Sequence, residues 1–233
     1  MRCTLIISSL SAGGAERVMS RMANYWAENG WEITLLTFDD GVEPPFYPLD
    51  PRVVHRPLGI AKNSPHPLVG IWHNFISVRS LRAAAIESKP DVVISFMDKV
   101  NIITLLASRG LKMPTIVSER NDPAMSSLGR VWELLRKWTY PLCNLLVVQT
   151  DRAIDYFPLE LHERIRVIPN PVILPPATPV VARRPLGQRS LIAIGRLVPQ
   201  KGFDLLLKAF SRDRKSTRLN SSHPSISRMP SSA

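Results

Sequence analysis

CTLIISSLSAGGAERVMSRMANYWAENG, residues 3–30, is the stretch on which the fold class turns. An unbroken apolar run at 3–8 gives way to a glycine pair, Gly13 and Gly14. A segment with Val18, Met22 and Trp26 at i, i+4 and i+8 follows. The run predicts a buried strand, the spacing predicts a helix, and Gly30 is placed to cap it. Strand, glycine turn, helix is the first unit of an α/β sheet. A secretory signal would need a longer apolar core than this one, which Gly-Gly-Ala-Glu interrupts at 13–16.

The alternation repeats along the chain. Strands are expected at 33–38, 52–58, 91–96, 114–119, 144–149 and 166–169. Helices are expected at 66–88, 100–110, 129–140 and in a short turn from Thr150. Nearly continuous apolar strands alternating with helices predict a doubly wound, Rossmann-like parallel sheet covered on both faces. In such sheets ligands lie beyond the carboxyl ends of the strands. From Pro169 to Gln188 the chain carries six prolines and no helical period, which marks a semi-rigid linker. RSLIAIGRLVPQKGFDLLLKAF, 189–210, then reads as a new strand, loop and helix. The expected organisation is a first domain at 1–170, a linker at 171–188 and the opening of a second domain at 189–212.

The chain of 233 residues is 45% hydrophobic and 21% charged, which is globular composition. Two cysteines, Cys3 and Cys143, argue against a disulfide framework and suit a reducing compartment, so a cytoplasmic location is expected. No apolar run is long enough to span a bilayer. The net charge of +11 invites nucleic acid, an anionic membrane surface or phosphorylated substrates. Nucleic acid is not expected, because the seven phenylalanines lie mainly in apolar runs, not among cations as a stacking groove requires. The five histidines (His55, His66, His73, His162, His223) show no metal-ligand spacing, so no metal is expected.

Two loops are candidates for binding. SSLSAGGAERV, 8–18, places Gly13 and Gly14 at a helix N-terminus, where free N–H groups favour an anion; a plain packing turn reads equally well. IGRLVPQKGFDLLL, 194–207, puts Arg196, Lys201 and a helix N-terminus together at a strand's end, a pattern suited to a diphosphate. Asp98, ending SFMD, is either a contact to an acceptor or a helix N-cap. Two segments suit an anionic membrane surface. One is 66–88, with Leu68, Ile71, Phe75 and Val78 in a stripe and Trp72, Arg79 and Arg82 beside it. The other is 129–138, where Trp132 and Trp138 flank Arg136 and Lys137. The competing reading of both is a stripe for the sheet's own core.

SAGGAERV at 11–18, SFMD at 95–98, SERNDP at 118–123, VVQT at 147–150, VIPNPV at 167–172 and GRLVPQKGFDLLLKAF at 195–210 together resemble the family-4 glycosyltransferases of GT-B fold. The resemblance covers nearly all of 1–210, in order. It is nearest to members that extend polysaccharide or lipid-linked glycan chains. It implies a retaining, metal-independent transfer from a nucleotide-sugar donor, with no cofactor, in a cleft between two domains. The first domain would present the acceptor and the second would hold the nucleotide. Arg196 and Lys201 would neutralise the leaving diphosphate, Gly13 and Gly14 would face it from the opposite wall, and Asn170 would sit near the hinge. Many relatives place a histidine near the sugar. Here the corresponding loop reads Ser118-Glu119-Arg120-Asn121-Asp122, so Glu119 or Arg120 fills the place. A sugar-nucleotide epimerase of the same fold and a non-enzymatic basic binding module are the alternatives.

DRKSTRLNSSHPSISRMPSSA, 213–233, has no helical or strand period. DRKSTRLNSSH and the final RMPSSA resemble, in order, translated segments of a common sequencing adapter. These residues are therefore expected to be non-native. They hold four cations (Arg214, Lys215, Arg218, Arg228) and one acid (Asp213), so the remainder carries a net charge of +8. The family's donor motif, two glutamates separated by seven residues, is expected downstream of residue 212. The fragment is accordingly expected to be inactive, with Leu205, Leu206, Leu207 and Phe210 partly exposed.

Overall fold

The computed structural model describes residues 1–61, 67–125, 127–171, 191–195 and 201–212, with backbone alone for 67–72 and 212. The chain divides into two compact units, Met1–Leu174 and Pro175–Ala233. The first is built on strands β1 (Arg2–Ile7), β2 (Glu32–Thr37), β3 (Val54–Pro57), β4 (Val92–Phe96), β5 (Thr115–Ser118), β6 (Leu145–Val148) and β7 (Ile165–Val167). All pair in parallel, in the order β3-β2-β1-β4-β5-β6-β7. The helices are α1 (Gly14–Glu28), α2 (Pro67–Glu87), α3 (Asp98–Ser108), α4 (Arg130–Thr139) and the short α5 (Leu159–His162). The expected doubly wound sheet is present, and each expected strand of this unit lies within one or two residues of its place.

The alternation of side chains along the strands sorts the core. Cys3, Leu5 and Ile7 of β1, Ile33 and Leu35 of β2 and Ile94 of β4 face α1. Ile6, Leu36 and Val93, on the opposite pleat, meet Leu81 and Ala84 of α2 and Val100 and Ile103 of α3. A further cluster joins Val117, Leu146, Val148 and Ile165 to Tyr140, Phe157 and Leu161. Burial on both pleats explains why the strands read as continuous apolar runs. Pro57, which cannot donate to a ladder, lies in the edge strand β3.

Three expectations shift in detail. The stripe of α1 that enters the core is Val18, Met19, Ala23 and Ala27, while Met22 and Trp26 stay half-buried at its margin. Small alanines let the helix lie close to the sheet, and the bulky residues are displaced to the flank. Gly30 follows the helix at φ +80°, the left-handed conformation of a terminating glycine, with Asn29 as the cap. In the second unit, the strand expected near 191–194 has no strand pairing, and Leu191, Ile192 and Ile194 are exposed. A strand forms only against a neighbour, and these residues have none among the described residues.

The helix expected in that unit is present as α6 (Phe203–Arg212), preceded by Gly202 at φ +64°. A Cβ at Gly195 would lie 3.3 Å from the Phe203 ring, a tight contact that the ring would have to relieve by a few tenths of an ångström. Leu205, Leu207 and Phe210 are exposed, as expected, and Leu206 is half-buried.

Candidate functional site

Strand order reverses beside β1, so the loops after β1 and β4 diverge and open the sheet's carboxyl edge. Gly13 and Gly14 stand there as expected, as the N-cap and first residue of α1. Gly13 is extended (φ −163°), a conformation open to any residue. The neighbour a Cβ on Gly13 would strike is the carboxylate of Glu16. Glu16 is the third residue of the helix, from which a glutamate can reach back over the cap. An anion at this N-terminus therefore meets a carboxylate already beside it. The adjoining cavity, about 370 Å³, is lined by Ser9, Ser11, Asp39, Asp40 and Glu43. Sequence reading missed these three acids, whose signal is their place directly after β2.

After β4 the chain turns sharply through Met97, whose φ of +79° is rare for a residue with a side chain. Such strain costs roughly 1–3 kcal/mol and recurs at functional loops. It is held by Met97 N–H donating to the Ser118 carbonyl (3.2 Å) and Asn101 N–H donating to the Met97 carbonyl (2.8 Å). Asp98 is the first residue of α3, not its N-cap, and its carboxylate accepts from the Lys99 N–H at 2.7 Å.

The loop after β5 separates the two residues expected to share one role. Glu119 is only 2% exposed and faces the core. It accepts a hydrogen bond from the Tyr140 hydroxyl, and Arg136 Nε lies 3.6 Å from it. Tyr140 in turn accepts from Asn101 Nδ2 (3.3 Å), which also donates to the Ser118 carbonyl (3.0 Å). Ser95 Oγ donates to Asn101 Oδ1 (2.8 Å). Burial outweighs Arg136 and the Tyr140 hydrogen bond and pushes the Glu119 carboxyl up to about 7. The structure places Glu119, expected near the sugar, buried among α3, α4 and β5, where its hydrogen bond anchors the loop.

Arg120 points the other way. Its guanidinium lies 4.4 Å from the Phe96 ring centroid and donates to Asn170 Oδ1. Asn170 Nδ2 donates to Gln149 Oε1 (3.1 Å), and Gln149 Nε2 donates to the Arg120 carbonyl (3.3 Å). Arg120, Asn170 and Gln149 thus form a closed ring across the ends of β5, β6 and β7. Among the described residues no carboxylate pairs with Arg120, and its buried Nε has no partner. Burial without a counter-charge lowers its pKa to about 10. Such a cation can donate charge-assisted hydrogen bonds to an anion. Arg120 also lines a groove of about 720 Å³ with Arg21, Met22, Trp26, Ile94 and Ile168. Gln149 was missed as a site residue, although it ends a strand within VVQT.

Arg196 lies outside the described residues. Lys201, in the second unit, is exposed just before α6. His55 bonds Thr37 Oγ1 (3.0 Å) and His162 the Phe157 carbonyl (2.9 Å), both packing roles. Among the described residues no helix is long and apolar enough to cross a membrane.

Residues 12–174 match the profile of Glycosyltransferase Family 4. Over 173 residues the chain is 32% identical to the GalNAc-alpha-(1->4)-GalNAc-alpha-(1->3)-diNAcBac-PP-undecaprenol alpha-1,4-N-acetyl-D-galactosaminyltransferase of Campylobacter jejuni, a match covering 73% of this chain and 46% of that protein. The chain spans about half the length of the curated relatives it matches. Among solved structures, it resembles the sucrose-phosphate synthase of Thermosynechococcus elongatus (TM-score 0.57, 12% identity, 72% of this chain and 48% of that one). It also resembles MurG of Acinetobacter baumannii (TM-score 0.54, 14% identity, 74% and 47%). These likenesses establish the Rossmann-like fold of GT-B proteins.

Proposed function

Because the chain belongs to glycosyltransferase family 4, we propose that it is the acceptor-side half of an enzyme that moves a sugar from a nucleotide-sugar donor to a polysaccharide or lipid-linked glycan. The transfer retains anomeric configuration and uses neither metal nor cofactor. The observation that carries the reading is Arg120, a half-buried cation at the carboxyl edge of the sheet with no counter-charge among the described residues. Arg120, steered by Asn170 and Gln149, holds a phosphate of donor or acceptor. The acids Asp39, Asp40 and Glu43 accept hydrogen bonds from sugar hydroxyls. Lys201 and Arg196 neutralise the diphosphate as the bond to the anomeric carbon breaks. Asn170 also marks the point where the chain leaves this sheet for the second unit. The enzyme works at the cytoplasmic side of a membrane, where a lipid-linked acceptor is presented, and residues 1–233 alone do not turn over.

The test starts from genomic DNA read through codon 212. The complete reading frame and residues 1–233 are expressed side by side. Both are assayed with labelled UDP- and GDP-sugars and a polyprenyl-diphosphate-linked acceptor, with and without EDTA. Transfer by the longer protein alone, with retained configuration and indifference to EDTA, is expected. Arg120→Ala in that protein should lower kcat/KM by about 100-fold, the scale of losing one charge-stabilising donor. Absence of transfer across the panel would overturn the reading.

A further inference from the structure

Asn101 is fully buried in the first turns of α3, between the apolar Val100 and Ile102. Asparagine is disfavoured inside a helix, and a buried amide is costly unless its polar atoms are bonded. Here they are. Nδ2 donates to the Ser118 carbonyl (3.0 Å) and to the Tyr140 hydroxyl (3.3 Å), and Oδ1 accepts from Ser95 Oγ (2.8 Å). The main-chain N–H donates to the Met97 carbonyl (2.8 Å). Packing alone would be served by an apolar residue of similar volume. The amide instead grips the end of β4 on both sides of Phe96, at Ser95 and Met97, and the last residue of β5.

The gripped residues carry the supports of Arg120. Its guanidinium lies 4.4 Å from the Phe96 ring centroid, and its Nη1 approaches Ser118 Oγ (3.5 Å). Phe96 and Ser118 stand opposite each other in the β4–β5 ladder. The Ser118 carbonyl takes two donors, Asn101 Nδ2 and the Met97 N–H (3.2 Å), which occupy both of its lone pairs. Asn101 has no exposed surface, so whatever it does at the rim it does through these neighbours.

We propose that Asn101 is a positioning residue of the transfer site: by locking Ser95 and Ser118 together, it sets the place at which Arg120 presents its guanidinium to a phosphate. The proposal rests on the phosphate role given to Arg120 above. Misplacing a binding group by about 1 Å is enough to slow a reaction severely. The competing role is that of an ordinary core network, whose loss loosens the whole domain evenly.

The purified chain, labelled with 15N, is read by the Nε–H resonance of Arg120, assigned as the signal that R120K removes. The Phe96 ring displaces this resonance, and burial shields it from exchange with water. N101D keeps the size of the side chain and its acceptor but cannot donate to Ser118. It should shift the resonance toward that of exposed arginines and speed its exchange. S95A, a milder change that keeps the amide, should shift it the same way by less. L35A, a core truncation in β2, two places along the sheet from β4, lowers stability without touching the network and should leave the resonance in place. A resonance unmoved by N101D and S95A alike, or moved as far by L35A, overturns the proposal. In the complete reading frame, N101D should lower kcat/KM about 10-fold, against about 100-fold for R120A, and should add nothing when combined with R120A. A combined loss of about 1,000-fold would make Asn101 independent of Arg120 and overturn the proposal as well. The two readings fail separately. R120A as active as wild type refutes the phosphate role of Arg120, whereas the resonance decides the link from Asn101 to Arg120 without any substrate.

Discussion

Helix α1 turns Met19, Ala23 and Ala27 into the sheet and leaves Arg17, Arg21 and Glu28 in water. Helix α4 turns Arg136 and Thr139 inward, with Leu135 and Trp132 packed on the core beside them, and leaves Val131, Leu134 and Trp138 outside. Both are short amphipathic helices flanking one sheet, so an apolar stripe does not by itself say which side faces the core. What differs is the partner waiting inside. Under α1 lie Leu5, Ile33 and Leu35, which reward apolar burial. Under α4 lies the Glu119 carboxyl, which needs a cation and hydrogen bonds. One buried glutamate thus draws a cation of the helix inward beside Leu135 and Trp132, while Val131, Leu134 and Trp138 stay in water.

The largest test of this contrast removes the cation. Arg136→Ala strands Glu119 in the core and should cost about 3–5 kcal/mol at pH 8 by urea unfolding. The loss should shrink below about pH 6, because a carboxyl whose pKa is about 7 takes up a proton there. A loss independent of pH would mean that Arg136 serves only as packing.

Next is Met19→Ala on the inner side of α1, where the residue is fully buried. It should cost about 2–5 kcal/mol in the same measurement.

A smaller effect concerns Glu119 itself. Its folded pKa lies above the ordinary 4.5, so its contribution is fully present below about pH 4.5 and is lost as pH rises through about 7. The His55 imidazole, lowered by burial, acts in the opposite sense, losing stability as pH falls. The difference between wild type and Glu119→Gln, measured from pH 4.5 to 8, isolates the glutamate. Parallel curves would refute its buried titration.

The smallest effect is expected at the outer face. Trp138→Ala should change stability by no more than about 0.5 kcal/mol, since the side chain stands in water. A large loss would place Trp138 in the core and break the contrast.

Much of this was legible in residue order. The seven strands and Gly30 follow from periodicity and turn residues; SFMD and SERNDP were singled out by the family resemblance and by standing at strand ends. Neighbouring residues with different destinations were not legible. Glu119 and Arg120 differ by one position, yet strand alternation sends the first into the core and the second to the rim. Arg136 and Lys137, or Trp132 and Trp138, read alike until the helix is rotated against its partners. Gln149 gained a role only when β6 was laid between β5 and β7.

Sequence alone determined the α/β class, the sheet's parallel sense and the placing of candidate loops at its carboxyl edge, because these depend on local period and turn residues. Only tertiary structure decided which charges are compensated. Arg120 without an acid, Arg136 beside Glu119, and the outward strip of α4 all result from long-range packing. Charge compensation is set by distance in space, which residue order does not contain.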